Sequence, residues 1–121
     1  MIGKTRVCPN ANPFFYGVSF AVNKVVGEAG VTTSYTVTDD DFTILVDATA
    51  VAVTVNLPDA TTCKGRVYAI KKIDAVTANA VSITPFTGQK IDGSTSAVNL
   101  TAANATKVIQ SDGTGWAVIA G

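Results

Sequence analysis

The chain reads as an all-β protein, an antiparallel β-sandwich or barrel-like domain of about eight or nine short strands behind an extended N-terminal arm. Three observations lead there. Apolar and polar residues alternate with period two in several short runs, of which "VAVTVNLP" is the clearest. Turn formers punctuate those runs at intervals of about 8–12 residues, the spacing of small β domains. Thr and Val dominate the sequence between the turns, and β-branched side chains favour strands over helices. Only "LTAANAT" offers even a single helical turn.

Taken in order, residues 1–34 form the arm. Phe14, Phe15, Tyr16 and Phe20 lie close together, and Val18, Phe20 and Val22 alternate as in a strand before Gly27 and Gly30 interrupt it. The domain proper is expected over 35–121. "YTVTDDDFTILVD" reads as a β-prone piece, an acidic turn, and a strand at Phe42–Val46. Val51, Val53, Val55 and Leu57 then share a face, closed by Pro58. After a turn at Gly65, "RVYAIKKI" places Val67, Ala69, Lys71 and Ile73 on one face, with Tyr68 and Ile70 on the other. That pattern suits a strand covered on both sides. "AVSITPF" is stopped by Pro85, and Asp92-Gly93 reads as a hairpin-type turn. "AVNLT" and "ATKVIQ" follow, and Asp112-Gly113 folds "GWAVIA" back against "ATKVIQ". Trp116 and Val118 then share a face that plugs the core or a subunit interface. No internal repeat of 20–50 residues stands out.

Composition narrows the function. Of 121 residues 47% are hydrophobic and 15% charged, and the formal net charge is +0. This leaves little electrostatic pull toward nucleic acid or anionic membrane, and little self-repulsion between copies. An apolar β domain of this kind exposes sticky faces and edges unless it associates. No apolar run approaches the ~20 residues that span a bilayer, and no signal-peptide core is visible at the N-terminus. Cys8 and Cys63 read as free thiols in a chain made in the cytosol.

Candidate chemistry is sparse. The chain has no histidine, hence neither the commonest general base nor the commonest metal ligand. Cys63 neighbours Lys64, which can lower a thiol pKa, but no base accompanies it. Asp39–Asp41 could offer oxygens to Ca²⁺, yet three consecutive Asp residues point in different directions, as in an acidic turn. Lys71-Lys72 is too small for a nucleic-acid footprint. "GQKIDGS" and "SDGTG" lack the phosphate-loop pattern. The glycosylation tripeptides at 99–101 and 104–106 are expected by chance in so Asn- and Thr-rich a chain. We therefore expect no enzyme, no cofactor and no metal, and assign the aromatic arm residues to packing or partner binding.

From residue 36 onward the chain carries "DDDFTILVD", "VTVNLP", "KGRVYAIKK", "VSITPFTGQKIDG" and "SDGTGW" in that order. In this series it resembles a β-rich module of tailed-bacteriophage virion proteins. The resemblance implies a small trimerising β domain, used in tail fibres and spikes and in head decoration (cement) proteins, with no catalytic residues. The shortness of the chain around this module favours a decoration protein, made in the host cytoplasm and placed on the capsid surface. There it would bind the major capsid protein as a homotrimer and stabilise the head, with the arm docking onto shell or neighbour. The alternative is a fibre, spike or tail-tip module that presents loops 85–95 and 110–115 to a host receptor.

Overall fold

Short runs of three to six β-prone residues cannot bury a face alone, and here they do so by stacking. A computed structural model describes residues 20–121; Cys8, Phe14, Phe15 and Tyr16 lie outside the described residues. The strands are β1 (Val22–Val26), β2 (Thr33–Thr36), β3 (Thr43–Asp47), β4 (Val53–Asn56), β5 (Val67–Lys72), β6 (Val81–Thr84), β7 (Val98–Leu100), β8 (Thr106–Ser111) and β9 (Trp116–Ala120). One sheet has five strands in the order β1-β3-β5-β8-β9, and the other has four in the order β2-β4-β6-β7. The residues 20–34, at the root of the expected arm, contain β1 and the start of β2, both paired into the sheets.

The expectation of antiparallel pairing is corrected. β1–β3, β3–β5, β2–β4 and β4–β6 all run parallel. From β1 to β6 the chain alternates between sheets, so that strands two apart in sequence lie side by side in the same direction. The result is a flattened coil. One coil takes between 20 residues (Thr33 to Val53) and 28 residues (Val53 to Val81). Only β7, β8 and β9 pair antiparallel, and they close the coil at its far end. A period-two pattern is common to both strand directions, so alternation in the sequence could not distinguish them. The coil leaves no clear sequence repeat for a related reason: its turns differ in length, and its stacked positions share apolar character more than identity.

Register stacks inward-facing side chains into rows along the coil. Thr33, Val53, Val81 and Leu100 form one row, and Tyr35, Val55, Ile83 and Val98 the next. Across from them stand Asn23, Ile44 and Ile70. Ile44, Ile70, Val53, Val55, Val81, Ile83, Ile109 and Trp116, drawn from both sheets, belong to a single hydrophobic cluster. At roughly 1.5–3 kcal/mol for each fully buried large apolar side chain, this cluster is the main source of stability.

One inward row ends on a charge. Val25 and Val46 are followed in register by Lys72, whose side chain is 0% exposed. The sequence had grouped Lys72 with Lys71 as a basic pair; the same alternation that turns Lys71 outward turns Lys72 onto the face of Tyr68 and Ile70. Its Nζ donates to Asp74 Oδ2 at 2.5 Å and to the Val76 carbonyl at 3.0 Å. Asp74 also accepts from the backbone N–H of Ala48 at 2.7 Å and of Val76 at 2.9 Å. Asn79 completes the clamp by donating to the carbonyls of Ala48 and Thr49. The β3–β4 turn is thus tied to the β5–β6 loop one coil further on. Burial pushes the Asp74 carboxyl up, but its hydrogen bonds to Lys72, Ala48 and Val76 together outweigh this and hold it below the ordinary range.

Asp74→Ala leaves the buried Lys72 with the Val76 carbonyl as its one remaining acceptor and no counter-charge, and should cost about 3–5 kcal/mol in urea unfolding. The sign of the pH dependence follows from the lowered carboxyl. Its stabilisation is complete above the unfolded-state value and is lost as pH falls toward the folded-state value. A plot of unfolding free energy against pH should therefore drop through the acidic range in the native protein, and drop less steeply in Asp74→Ala.

Candidate functional site

The motif-bearing residues converge at one end of the coil, around Trp116. Leu57 is buried, and the carbonyl of Pro58 accepts from Trp116 Nε1 at 3.1 Å. Asp59 caps a single 3₁₀ turn at Ala60–Thr62, accepting from Thr61 N–H and Oγ1. Gln89 bridges this turn to the β6–β7 loop by donating to Asp59 at 2.7 Å and accepting from Ala60 N–H at 3.0 Å. Ser111 is buried and donates to the Ala60 carbonyl at 2.7 Å. The Trp116 N–H donates to the Lys90 carbonyl, and the Trp116 carbonyl accepts from Asp92 N–H. Asp92 Oδ1 then accepts from Val118 N–H.

Asp112 Oδ1 receives the N–H groups of Thr114 and Gly115, both at 2.8 Å, and so sets the turn between β8 and β9. Gly113 has φ +93°, a conformation that a side chain would strain. Gly115 lies so close to Lys90 that an added Cβ would stand 2.8 Å from its carbonyl oxygen. Trp116 is 2% exposed, with its ring centroid 5.7 Å from that of Tyr68, and Val118 packs partly buried against the same core. The Asp92-Gly93 turn is present but joins no hairpin: Ile91 bridges to Ser94 and, in parallel, to Trp116.

The remaining candidates are dispersed, and most of them are occupied. The three consecutive Asp residues diverge: Asp39 pairs with Arg66 at 3.4 Å, Asp40 is exposed, and Asp41 turns inward. Asp41 accepts from Tyr35 OH at 2.7 Å and Thr38 N–H at 2.8 Å. Burial, and then the hydrogen bond to Asp41, push the Tyr35 phenol up. Cys63 is half-buried, with Sγ 3.4 Å from the Asp59 carbonyl. Asn99, in one glycosylation tripeptide, accepts from Ser82 Oγ at 2.8 Å. Phe20 stacks on Phe42 with centroids 4.4 Å apart and remains largely exposed. The side chains of Asp59 and Asp112 are held below the usual carboxylate range, the first mainly by Thr61 and the second by Gly115 and Thr114.

The outer faces of the two sheets differ sharply. On the four-stranded sheet the outward rows are Ser34–Thr54–Ser82–Asn99 and Thr36–Asn56–Thr84, all short, polar and uncharged. The five-stranded sheet turns out Val22, Leu45, Ala69 and Val108, with Lys24, Asp47 and Lys71 among them, and Ile119 stands exposed on β9. The sequence reading had not separated these faces, because doing so requires knowing which strands share a sheet. No family model and no curated protein matches this chain.

Removing the indole takes away a buried ring and the donor to Pro58 together. Trp116→Ala should cost about 3–5 kcal/mol, measured by thermal or urea unfolding. Unchanged stability would contradict its role in locking the last strand.

Proposed function

We propose that this protein works by association, and that it is a capsid decoration (cement) protein of a bacteriophage. In this reading a two-layer β-sandwich forms a homotrimer, binds the major capsid protein of the assembled head and stabilises the shell. The observation that carries the proposal is the convergence of the resembling motifs on Trp116. "NLP", "KG", "QKIDG" and "SDGTGW" supply the caps, turns and close approaches of one end of the fold, so the resemblance rests on residues with defined structural duties. Five ionisable side chains are committed to the fold as well: Asp41, Asp59, Asp74, Asp112 and Lys72 all hold backbone or one another.

Association then falls to the outer faces. The apolar positions on the five-stranded sheet favour it as the contact between copies, while the Ser/Thr/Asn face can stay in water at little cost. The aromatic arm rooted at Phe20 would extend the contact to shell or neighbour. A protein that binds the assembled shell and not its free subunits stabilises the shell by mass action. The second reading, a fibre or tail-tip module, is favoured by one observation: loops 85–95 and 110–115 lie side by side around a cleft of about 330 Å³ above Trp116.

Locating the protein in purified particles tests both readings. Copies spread over the head support the cement role, and copies confined to the tail support the second. Heads lacking the protein should lose DNA at lower temperature than complete ones; equal resistance would rule out cementing. Ile119→Lys places a charge on the five-stranded face, where a surface change alters fold stability by no more than about 0.5 kcal/mol. Light scattering should then report monomers in place of the oligomer.

A further inference from the structure

The two Asp-Gly pairs are identical in sequence, yet the fold places them in opposite surroundings. At Asp112-Gly113 the reactive groups are held. Asp112 Oδ1 accepts the N–H groups of Thr114 and Gly115, both at 2.8 Å, and the Gly113 N–H donates to Ser111 Oγ at 3.2 Å. The Asp112 N–H is engaged too, by the Gly115 carbonyl at 3.1 Å. Bonds from Gly115 and then Thr114 keep the carboxyl below the usual range and therefore ionised. Lys64 packs over the turn: a Cβ added at Gly113 would meet its side chain at 3.0 Å.

At Asp92-Gly93 the same groups are open. Both residues are exposed, and a Cβ added at Gly93 would meet nothing within 4 Å. The Gly93 N–H has no hydrogen-bond acceptor among the described residues. The Asp92 carboxylate accepts one bond, from the Val118 N–H at 3.0 Å. Asp92 also has φ +50°, a left-handed conformation that disfavours L residues, so this exposed turn opens readily.

We propose that Asp92-Gly93 is a site of spontaneous backbone modification, aspartate to isoaspartate, from which Asp112-Gly113 is shielded. The Gly93 nitrogen, with no side chain beside it, attacks Asp92 Cγ. The nitrogen gives up its proton and the carboxyl group, protonated from solvent, gives up hydroxide, so that one water leaves and a cyclic imide remains. Solvent water then adds to one of the two imide carbonyls. Cleavage at the Cγ–N bond restores aspartate; cleavage at the original peptide bond leaves the main chain running through Cβ and Cγ. That product has one more main-chain atom between Ile91 and Ser94, which bond to each other across the turn at 2.8 and 3.0 Å. It also moves the carboxylate onto Cα and shortens its arm toward Val118. Asp92 is a latch on the free side of β9, donating its N–H to the Trp116 carbonyl and accepting from Val118. Modification therefore releases this latch, while the pairing of β9 with β8 stays. None of this depends on the capsid reading.

Storage of the full chain at neutral pH, folded and in urea, tests this, with isoaspartate located by peptide mapping and mass spectrometry. In urea the two pairs should react at similar rates. In the folded protein Asp92 should react at least ~10-fold faster than Asp112. Similar rates in the folded protein, or a faster reaction at Asp112, overturn the proposal. Reaction of Asp92 in urea but not in the folded protein also overturns it, because the turn would then be a shield. Hydrogen–deuterium exchange reads the latch: the Val118 amide should exchange at least ~10-fold faster in the modified protein, while β5 and β8 keep their protection. Asp92→Glu, which would have to close a larger ring, should show no such change on storage. Unchanged Val118 exchange in the modified protein, or equal acceleration in stored Asp92→Glu, overturns the latch.

Discussion

The in-register parallel stacking of strands from alternate sheets is the constraint on which the rest of this structure depends. A strand of four or five residues is too short to be stable alone, and a two-layer core built from such strands needs its inward side chains aligned from coil to coil. Register supplies that alignment. It places Val on Val and Ile on Val in the rows through Val53 and Val55, and it fixes which residues of each strand reach the core at all. A slip by one residue would bury Thr54 and Ser82 and expose Val53 and Val81. The turns must therefore hold their lengths, and the hydrogen bonds of Asp74, Asp59 and Asp112 are spent on turns and loops.

Much of this was legible in the residues. Alternation located the strands from β3 onward, the Asp112-Gly113 turn identified the final pairing, and Trp116 was expected to serve the core or an interface. Strand direction was hidden, since a side chain's period is the same whichever way its neighbour runs. The coil was hidden too, because its turns vary in length and the few identities that recur, such as Val53 with Val81 and Ile44 with Ile70, are ordinary core residues at unequal spacings. Lys72 shows the limit most clearly. Among the motifs it read only as half of a basic pair too small for a nucleic-acid footprint, and only strict alternation with Tyr68 and Ile70, together with Asp74 two residues on, marks it as buried. The candidate surface was the least legible part: Ser34, Thr54, Ser82 and Asn99 are far apart in the chain and become one row only through the sheet.

The two outer faces give the molecule a direction. One sheet presents hydroxyl and amide groups that bond to each other and to water; the other presents methyl groups interspersed with charges of both signs. In the assembly role proposed above, this asymmetry would leave one face to compete for partners and so limit the ways that copies can stack. The polar face also has no long charged side chains whose ordering would carry an entropic penalty on contact.

The coil has a fixed lid and a repeating body. Trp116 is locked by the turns around β9, by Pro58 after β4 and by Tyr68 on β5, all remote in sequence from the β2–β3 connection, whereas each added pair of strands needs only a neighbour in register. The number of coils is thus a free parameter of the architecture. Inserting a further 20 to 28 residues between β2 and β3 would lengthen the body by one strand spacing, about 4.8 Å, in both sheets without disturbing the lid. A domain built this way can be matched in height to whatever surface it must bridge.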